Sequence, residues 1–397
     1  LAERARKLGP RPRNRYPVAR APIDRKGRTD MRTPAAALRG VQHPEAFHGH
    51  GITRGFFEGW YVKLVSADRS QRWAVIPGIF RGLAGAAGEG EGTRDEAFVQ
   101  VLDGLTGRSW YHRFAPEEFA ASDRVFDVRI GGNRFTTTGV TLDLPNMRGR
   151  IDYTSALEPW PVTLREPGIM GWYGLVPFME CFHGIVSFGH GLRGTLEIDA
   201  GDAPGAGAAG AGADLGVGSA LVATSFDGGR GYIEKDWGKA FPAGYVWMAS
   251  NHIDATGGTE AATGSAADAS LIASVAIIPW VGRSFRGSII GFRHGGRLYK
   301  WTTYNRSRET RLAIDDTHVR WSVQGPDGVL ELDAERVRGG LLHAPLRTAM
   351  HQRVEETLDA RIAFRHLDPD GRVLLEGTAE CAGLEVFGDT ARLLALK

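Results

Sequence analysis

Trp73-Ala-Val-Ile-Pro-Gly-Ile-Phe80 is a short aromatic and β-branched run bounded by turn-forming residues, and its reading sets the pattern for the chain. The same pattern returns at Ala97-Phe-Val-Gln-Val-Leu102 and Arg124-Val-Phe-Asp-Val-Arg-Ile130, then at residues 194–198, 271–278, 288–292, 297–304, 318–323 and 360–365. Amphipathic helical periods are scarce, and 54 glycines punctuate the runs. An all-β protein of many antiparallel strands, closed into barrels or sandwiches, is expected.

The chain of 397 residues, with 42% hydrophobic content and a net charge of +2, is long enough for two domains of ordinary size. No run approaches the roughly 20 apolar residues that span a bilayer, and no secretory signal pattern is present. Export is therefore not expected, and the cytoplasm is the default location, with membrane association as an addition. Two cysteines, Cys181 and Cys381, exclude a disulfide framework and a four-thiolate metal site. Residues 1–32 are rich in Arg and Lys and broken by prolines, which reads as a disordered basic arm. Such an arm can touch anionic lipid, so peripheral membrane contact is an expected partnership, and nucleic acid is not. The plainer reading is an N-terminal extension ahead of Met31.

Gly/Ala-rich stretches at 82–95, 200–218 and 254–269 lack apolar periodicity and read as enlarged loops. The second sets the expected division: an arm at 1–39, one β-barrel unit at 40–200 and another at 217–397.

Three segments place carboxylates among large rings: Phe57-Glu-Gly-Trp-Tyr61, Met179-Glu-Cys-Phe-His-Gly184 and Gly231-Tyr-Ile-Glu-Lys-Asp-Trp-Gly238. Burial there raises a carboxyl pKa and keeps a proton available for acid chemistry on an apolar substrate. If 231–237 is a strand, alternation puts Tyr232, Glu234 and Asp236 on one face and Ile233, Lys235 and Trp237 on the other. Two carboxyls on one face can hold a proton between them; a solvated acidic edge is the competing reading. In the first segment Phe56, Glu58 and Trp60 share a face, with Glu58 either lying against an indole or paired with Lys63 or an arginine. Glu180 and His183 read as a hydrogen-bonded pair lining a pocket, against the commoner satisfied core histidine. His43, His48 and His50 precede the first strand without an evident scaffold, so no metal site is expected. Gly189-His-Gly-Leu-Arg-Gly194 has a dinucleotide-loop spacing but runs into a strand, where no helix N-terminus holds a pyrophosphate.

The three segments, with Phe241-Pro242, Trp247 and a C-terminal run through Leu342-His-Ala-Pro345, Met350, residues 355–360 and Ala382-Gly-Leu-Glu-Val-Phe-Gly388, resemble the tocopherol cyclase family in order and spacing. The resemblance covers roughly residues 40–397. It implies two lipocalin-like, or calycin-like, antiparallel β-barrel units, related to the carotenoid hydratase and hydroxyneurosporene synthase group. It also implies an isomerase of vitamin E type chemistry, closing a chromanol ring from a prenylated, phytyl-type hydroquinone. No redox cofactor or metal is implied. A carboxylic acid would protonate the prenyl alkene, and the neighbouring phenol oxygen would capture the tertiary cation. An acid stands at the place of Glu234 in the related hydratases, which makes Glu234 the first choice as donor. Asp236 stands where the cyclases often have asparagine and ranks behind it, and Glu58 and Glu180 complete the catalytic candidates. Trp60, Tyr61, Trp237 and Trp247 would stabilise the cation and exclude water. Tyr173, His183, Tyr232 and Asn251 would bind or orient the substrate. The competing functions are an isoprenoid hydratase, which delivers water to the same cation, and a lipocalin-like carrier that binds without turnover.

Overall fold

The computed structural model describes residues 34–83, 95–163, 166–199, 221–264 and 266–396. The first sheet begins with β1 (Phe56–Val65), β2 (Arg72–Arg81), β3 (Glu96–Asp103) and β4 (Ser109–Phe114). Short strands β5 (Phe119–Ala121), β6 (Asp127–Ile130), β7 (Asn133–Thr136), β8 (Gly139–Leu144) and β9 (Met147–Tyr153) follow. The long β10 (Cys181–Asp199), β11 (Leu221–Ser225) and β12 (Arg230–Gly238) complete it. The second sheet holds β13 (Gly244–Ser250), β14 (His252–Gly258), β15 (Ser270–Trp280), β16 (Arg283–His294), β17 (Arg297–Thr302) and β18 (Arg308–Ile314). It ends with β19 (His318–Gly325), β20 (Gly328–Glu335), β21 (Gly340–Pro345), β22 (Met350–Leu367) and β23 (Val373–Gly388). Every pairing is antiparallel, and strands adjacent in the sheets are mostly adjacent in sequence, the ordering of up-and-down barrels. The all-β expectation is met by two antiparallel sheets within one compact unit.

The first sheet runs β4-β3-β2-β1-β12-β10-β9-β8-β7-β6-β5, so β12 closes the gap between β1 and β10. The change of sheet therefore falls at residues 239–243 and not at 200–218, where the sequence places the division. The reason is non-local pairing: β12 spends both of its edges on β1 and β10. Residues 84–94 and 200–220, which hold most of two Gly/Ala-rich stretches, lie outside the described residues. The third stretch is not a plain loop, because β14 runs into it and pairs with β23 from His252 to Gly258.

Residues 1–33 of the basic arm lie outside the described residues. Its end departs from the expected disorder: α1 (Pro34–Gln42) begins at a proline, continues through three alanines and a leucine, and buries Gly40 and Val41. Val41 packs on the backbone of Gly174, where an added Cβ would come within 3.0 Å of its Cγ2.

Central strands β1 and β12 are buried on both faces, which explains why neither reads as apolar-in, polar-out. The β1–β2 ladder keeps one register but is interrupted between Gly59↔Gly78 and Val62↔Val75, beside Pro77, which has no N–H to give it. On β13 the alternation is divided: Val246 and Met248 face the second sheet's core, while Tyr245, Trp247 and Ala249 join the first. The surfaces left facing one another between the sheets enclose the site.

Candidate active site

The register of β1 against β12 decides which carboxylates meet a substrate. Tyr61 lies opposite Glu234 and Gly59 opposite Asp236, while Glu58 lies opposite Trp237 and Trp60 opposite Lys235. Residues directly opposite share a face. The Phe57-Gly59-Tyr61 face, with Glu234 and Asp236, therefore looks one way, and Glu58, Trp60, Lys235 and Trp237 look the other.

The first face lines a cavity of ≈ 170 Å³ between the sheets. The first sheet adds His183 from β10, and the second adds Tyr245 and Trp247 from β13, Glu356 from β22 and Glu385 from β23. The remaining wall is largely apolar, with Phe57, Ile76, Phe98, Phe241, Ile289 and Met350 among its residues. Four carboxyls thus face one largely apolar chamber.

Glu234 is 4% exposed, and its Oε2 accepts the Tyr232 hydroxyl at 2.5 Å and the Trp247 indole N–H at 3.2 Å. Burial pushes its pKa up, His183 opposes this, and Asp236 adds to it, leaving the carboxyl at about 7 despite the two donors. His183 places Nδ1 2.9 Å from Asp236 Oδ1 and Nε2 3.8 Å from Glu234 Oε2. Burial works against its cation, but Asp236 and Glu234 prevail and raise the imidazole to about 9. The arrangement is a proton-bearing acid at neutral pH, backed by an imidazolium held on a second carboxyl. Cys181 is no nucleophile here: burial, Asp236 and Glu180 push its thiol well above the usual value.

Trp247 reaches Glu234 because Gly383 lies beneath its ring, where an added Cβ would come within 2.6 Å of Cη2. The indole edge also meets Tyr61, with ring centroids 5.4 Å apart.

Several residues expected at the site stand elsewhere. Glu58 is fully buried on the opposite face, ion-paired with Lys235 and receiving the His48 backbone N–H at 2.9 and 3.0 Å. Burial pushes its carboxyl up, but Lys235 and His48 together hold it below the usual value, so it is an anion and not a proton donor. Its partner is Lys235 and not Lys63, whose ammonium donates instead to the Cys381 carbonyl. Trp60 and Trp237 flank the Lys235 ammonium at 4.6 and 4.9 Å and do not line the cavity. Alternation excludes them, since each follows a cavity-facing residue by one position. Glu180 is ion-paired with Arg347 at 2.9 Å, outside the cavity lining, and makes no pair with His183. Tyr173 stacks on Trp172 at 3.9 Å outside the chamber, and Asn251 donates to the Gly231 carbonyl at 2.8 Å. Tyr232 sits behind Glu234 as its donor. Glu356, Glu385 and Tyr245 were not among the sequence candidates. The available signal was an acid inside an apolar run, as in Leu384-Glu385-Val386-Phe387.

His183, Glu234 and Asp236 offer ligand atoms within 4.8 Å of one another, close enough to hold a cation. The donor set fits poorly: Glu234 Oε2 already takes two hydrogen bonds, and the His183–Asp236 contact favours protonated imidazole, which is not a ligand. The three side chains suit a proton better than a metal.

Residues 219–388 match the family model described as tocopherol cyclase-like. Over 407 aligned residues the chain is 23% identical to a protein of Oryza sativa subsp. japonica named "Probable tocopherol cyclase, chloroplastic", covering 89% of this chain and 80% of that one. Among solved structures, CghA is 10% identical, with 84% of this chain and 89% of that chain covered and a TM-score of 0.47. Kievitone hydratase from Nectria haematococca is also 10% identical, covering 86% and 94%, with a TM-score of 0.41. The family model and the rice relative bear out the resemblance read from the motifs.

Proposed function

Given a tocopherol cyclase-like sequence across residues 219–388, we propose that the protein is an isomerase closing the chromanol ring of a prenylated, phytyl-type hydroquinone. One observation carries the reading: Glu234 is a buried carboxyl raised to about 7, so that it still carries a proton near neutrality, facing a largely apolar chamber. Its proton adds to the prenyl alkene, the alkene's π pair becomes the new C–H bond, and a tertiary cation forms. A lone pair of the neighbouring phenol oxygen closes the C–O bond, and the phenolic proton leaves. Trp247, Tyr61 and Tyr245 present ring faces and edges to the charge and keep out the water that would trap it. The apolar wall accommodates the isoprenoid chain.

A substrate of this kind resides in lipid, and the chamber's rim supports delivery from a membrane surface. On β15 the cavity-lining Ser274, Ala276 and Ile278 alternate onto Trp280, which carries the same face outward. Beside it Trp172, Leu175, Phe178 and Val281 are exposed, Val281 at 80%, and Phe178 and Trp172 contact Trp280. These exposed rings and aliphatic side chains suit a peripheral contact; among the described residues no helix is long and apolar enough to cross a membrane.

The test is incubation with a panel of prenylated hydroquinones, read by mass spectrometry. The expected product has the substrate's mass, and in deuterated water it carries one deuterium on the carbon next to the new quaternary centre. Ring closure is expected to survive thorough chelation of divalent metals. A product heavier by one water would move the reading to a hydratase, and saturable binding without product would make the protein a carrier.

A further inference from the structure

Ring closure releases a phenolic proton, and the groups around Glu234 are poorly placed to take it. His183 is already protonated, and the Asp236 carboxyl is engaged with it. Across the chamber, β22 and β23 bring Glu356 directly opposite Glu385, so both side chains leave the sheet on the face that lines the cavity. Glu356 is 1% exposed. Its Oε1 accepts the Tyr61 hydroxyl at 2.5 Å, whereas its buried Oε2 has no hydrogen-bond partner among the described residues. Glu385 Oε2 accepts the Tyr245 hydroxyl at 2.5 Å. An unsatisfied buried carboxyl oxygen is costly, and a second carboxyl beside it relieves the cost if one proton lies between them.

We infer that Glu356 and Glu385 form a second catalytic pair, a carboxyl dyad sharing one proton, which binds the substrate's phenol hydroxyl and takes its proton as the ring closes. This rests on the ring-closing reading above. Burial, and for Glu356 also the neighbouring Glu385 charge, pushes both acids up, Glu385 to about 7, so the singly charged dyad is available near neutrality. The protons balance. Glu234 loses one to the alkene, the dyad gains one from the phenol, and the reaction is a net isomerisation. Tyr61 ties the dyad to the first sheet, since its hydroxyl bonds Glu356 and its strand position lies opposite Glu234, and both acids return to their resting states by proton exchange with solvent as product leaves.

The experiment compares the wild-type protein with Glu356→Gln and Glu385→Gln in deuterated water, using the prenylated hydroquinone that wild type cyclises best. Circular dichroism establishes that each variant is folded, and if Glu356→Gln fails to fold, the half-buried Glu385→Gln carries the test. Chromanol formation should fall at least about a hundredfold in each, the low end for acid–base catalysis. Deuterium should still enter the prenyl chain of recovered substrate, because Glu234 continues to protonate it reversibly. Chromanol formation near the wild-type rate in a folded variant would overturn the dyad while leaving cyclisation intact. Loss of deuterium uptake together with ring closure would also overturn it, since the pair would then be acting as the acid. A wild-type protein that forms no chromanol removes the ring-closing reading, and the dyad's role falls with it.

Discussion

Glu234→Gln is expected to reduce ring closure at least about a hundredfold while leaving the circular dichroism spectrum and substrate binding close to those of the wild-type protein. Glutamine retains the shape and can still accept from Tyr232 and Trp247, so the loss isolates the proton. The pH dependence carries an independent sign. An acid raised to about 7 is protonated below that value and ionised above it, so the Glu234-dependent limb should fall as pH rises through about 7. Asp236→Asn should be milder, because it removes the carboxyl that holds His183 and leaves the donor in place. Full activity in Glu234→Gln would take the acid away from this position.

Lys235→Met should cost about 3–5 kcal/mol in urea unfolding, the range for stripping one partner from a buried ion pair. It leaves Glu58 as an anion at 0% exposure, with only the His48 groups to compensate. The double variant Glu58→Gln/Lys235→Met removes both charges and should regain most of the loss, a coupling that a double-mutant cycle measures directly. A cost below about 1 kcal/mol in the single variant would mean that Glu58 is not held as an anion. The pair sits on the face of β1 and β12 away from the cavity, so it supports the strand that carries Glu234 without touching substrate.

Much of the fold was legible because strand signals are local. The runs at 73–80, 97–102, 271–278 and 318–323 lie within β2, β3, β15 and β19. The run at 124–130 contributes only its last four residues, as β6. The length of β10 was not legible, since it passes through register shifts between Ile185 and His190 that no apolar period announces. The division between the sheets was misplaced for a related reason. Composition marks where a chain is loose, but only pairing shows which edge the next strand takes.

By itself the sequence determined the all-β class and the grouping of Tyr232, Glu234 and Asp236, because alternation along one strand is a property of the backbone. It also carried the tocopherol cyclase-like resemblance, through several separated motifs. Only the tertiary structure decided which face of β1 meets the cavity: the register against β12 turns Tyr61 inward and sends Glu58 to Lys235. It likewise decided that Glu356, and not its neighbour Glu355, opposes Glu385, across a pairing whose register shifts just beyond Thr357. A one-residue slip in either ladder would exchange the faces and dismantle the site; one register joins Phe57 to distant Gly238, and the other passes through several shifts along the β22–β23 hairpin before Glu356 meets Glu385, so no local window contains either.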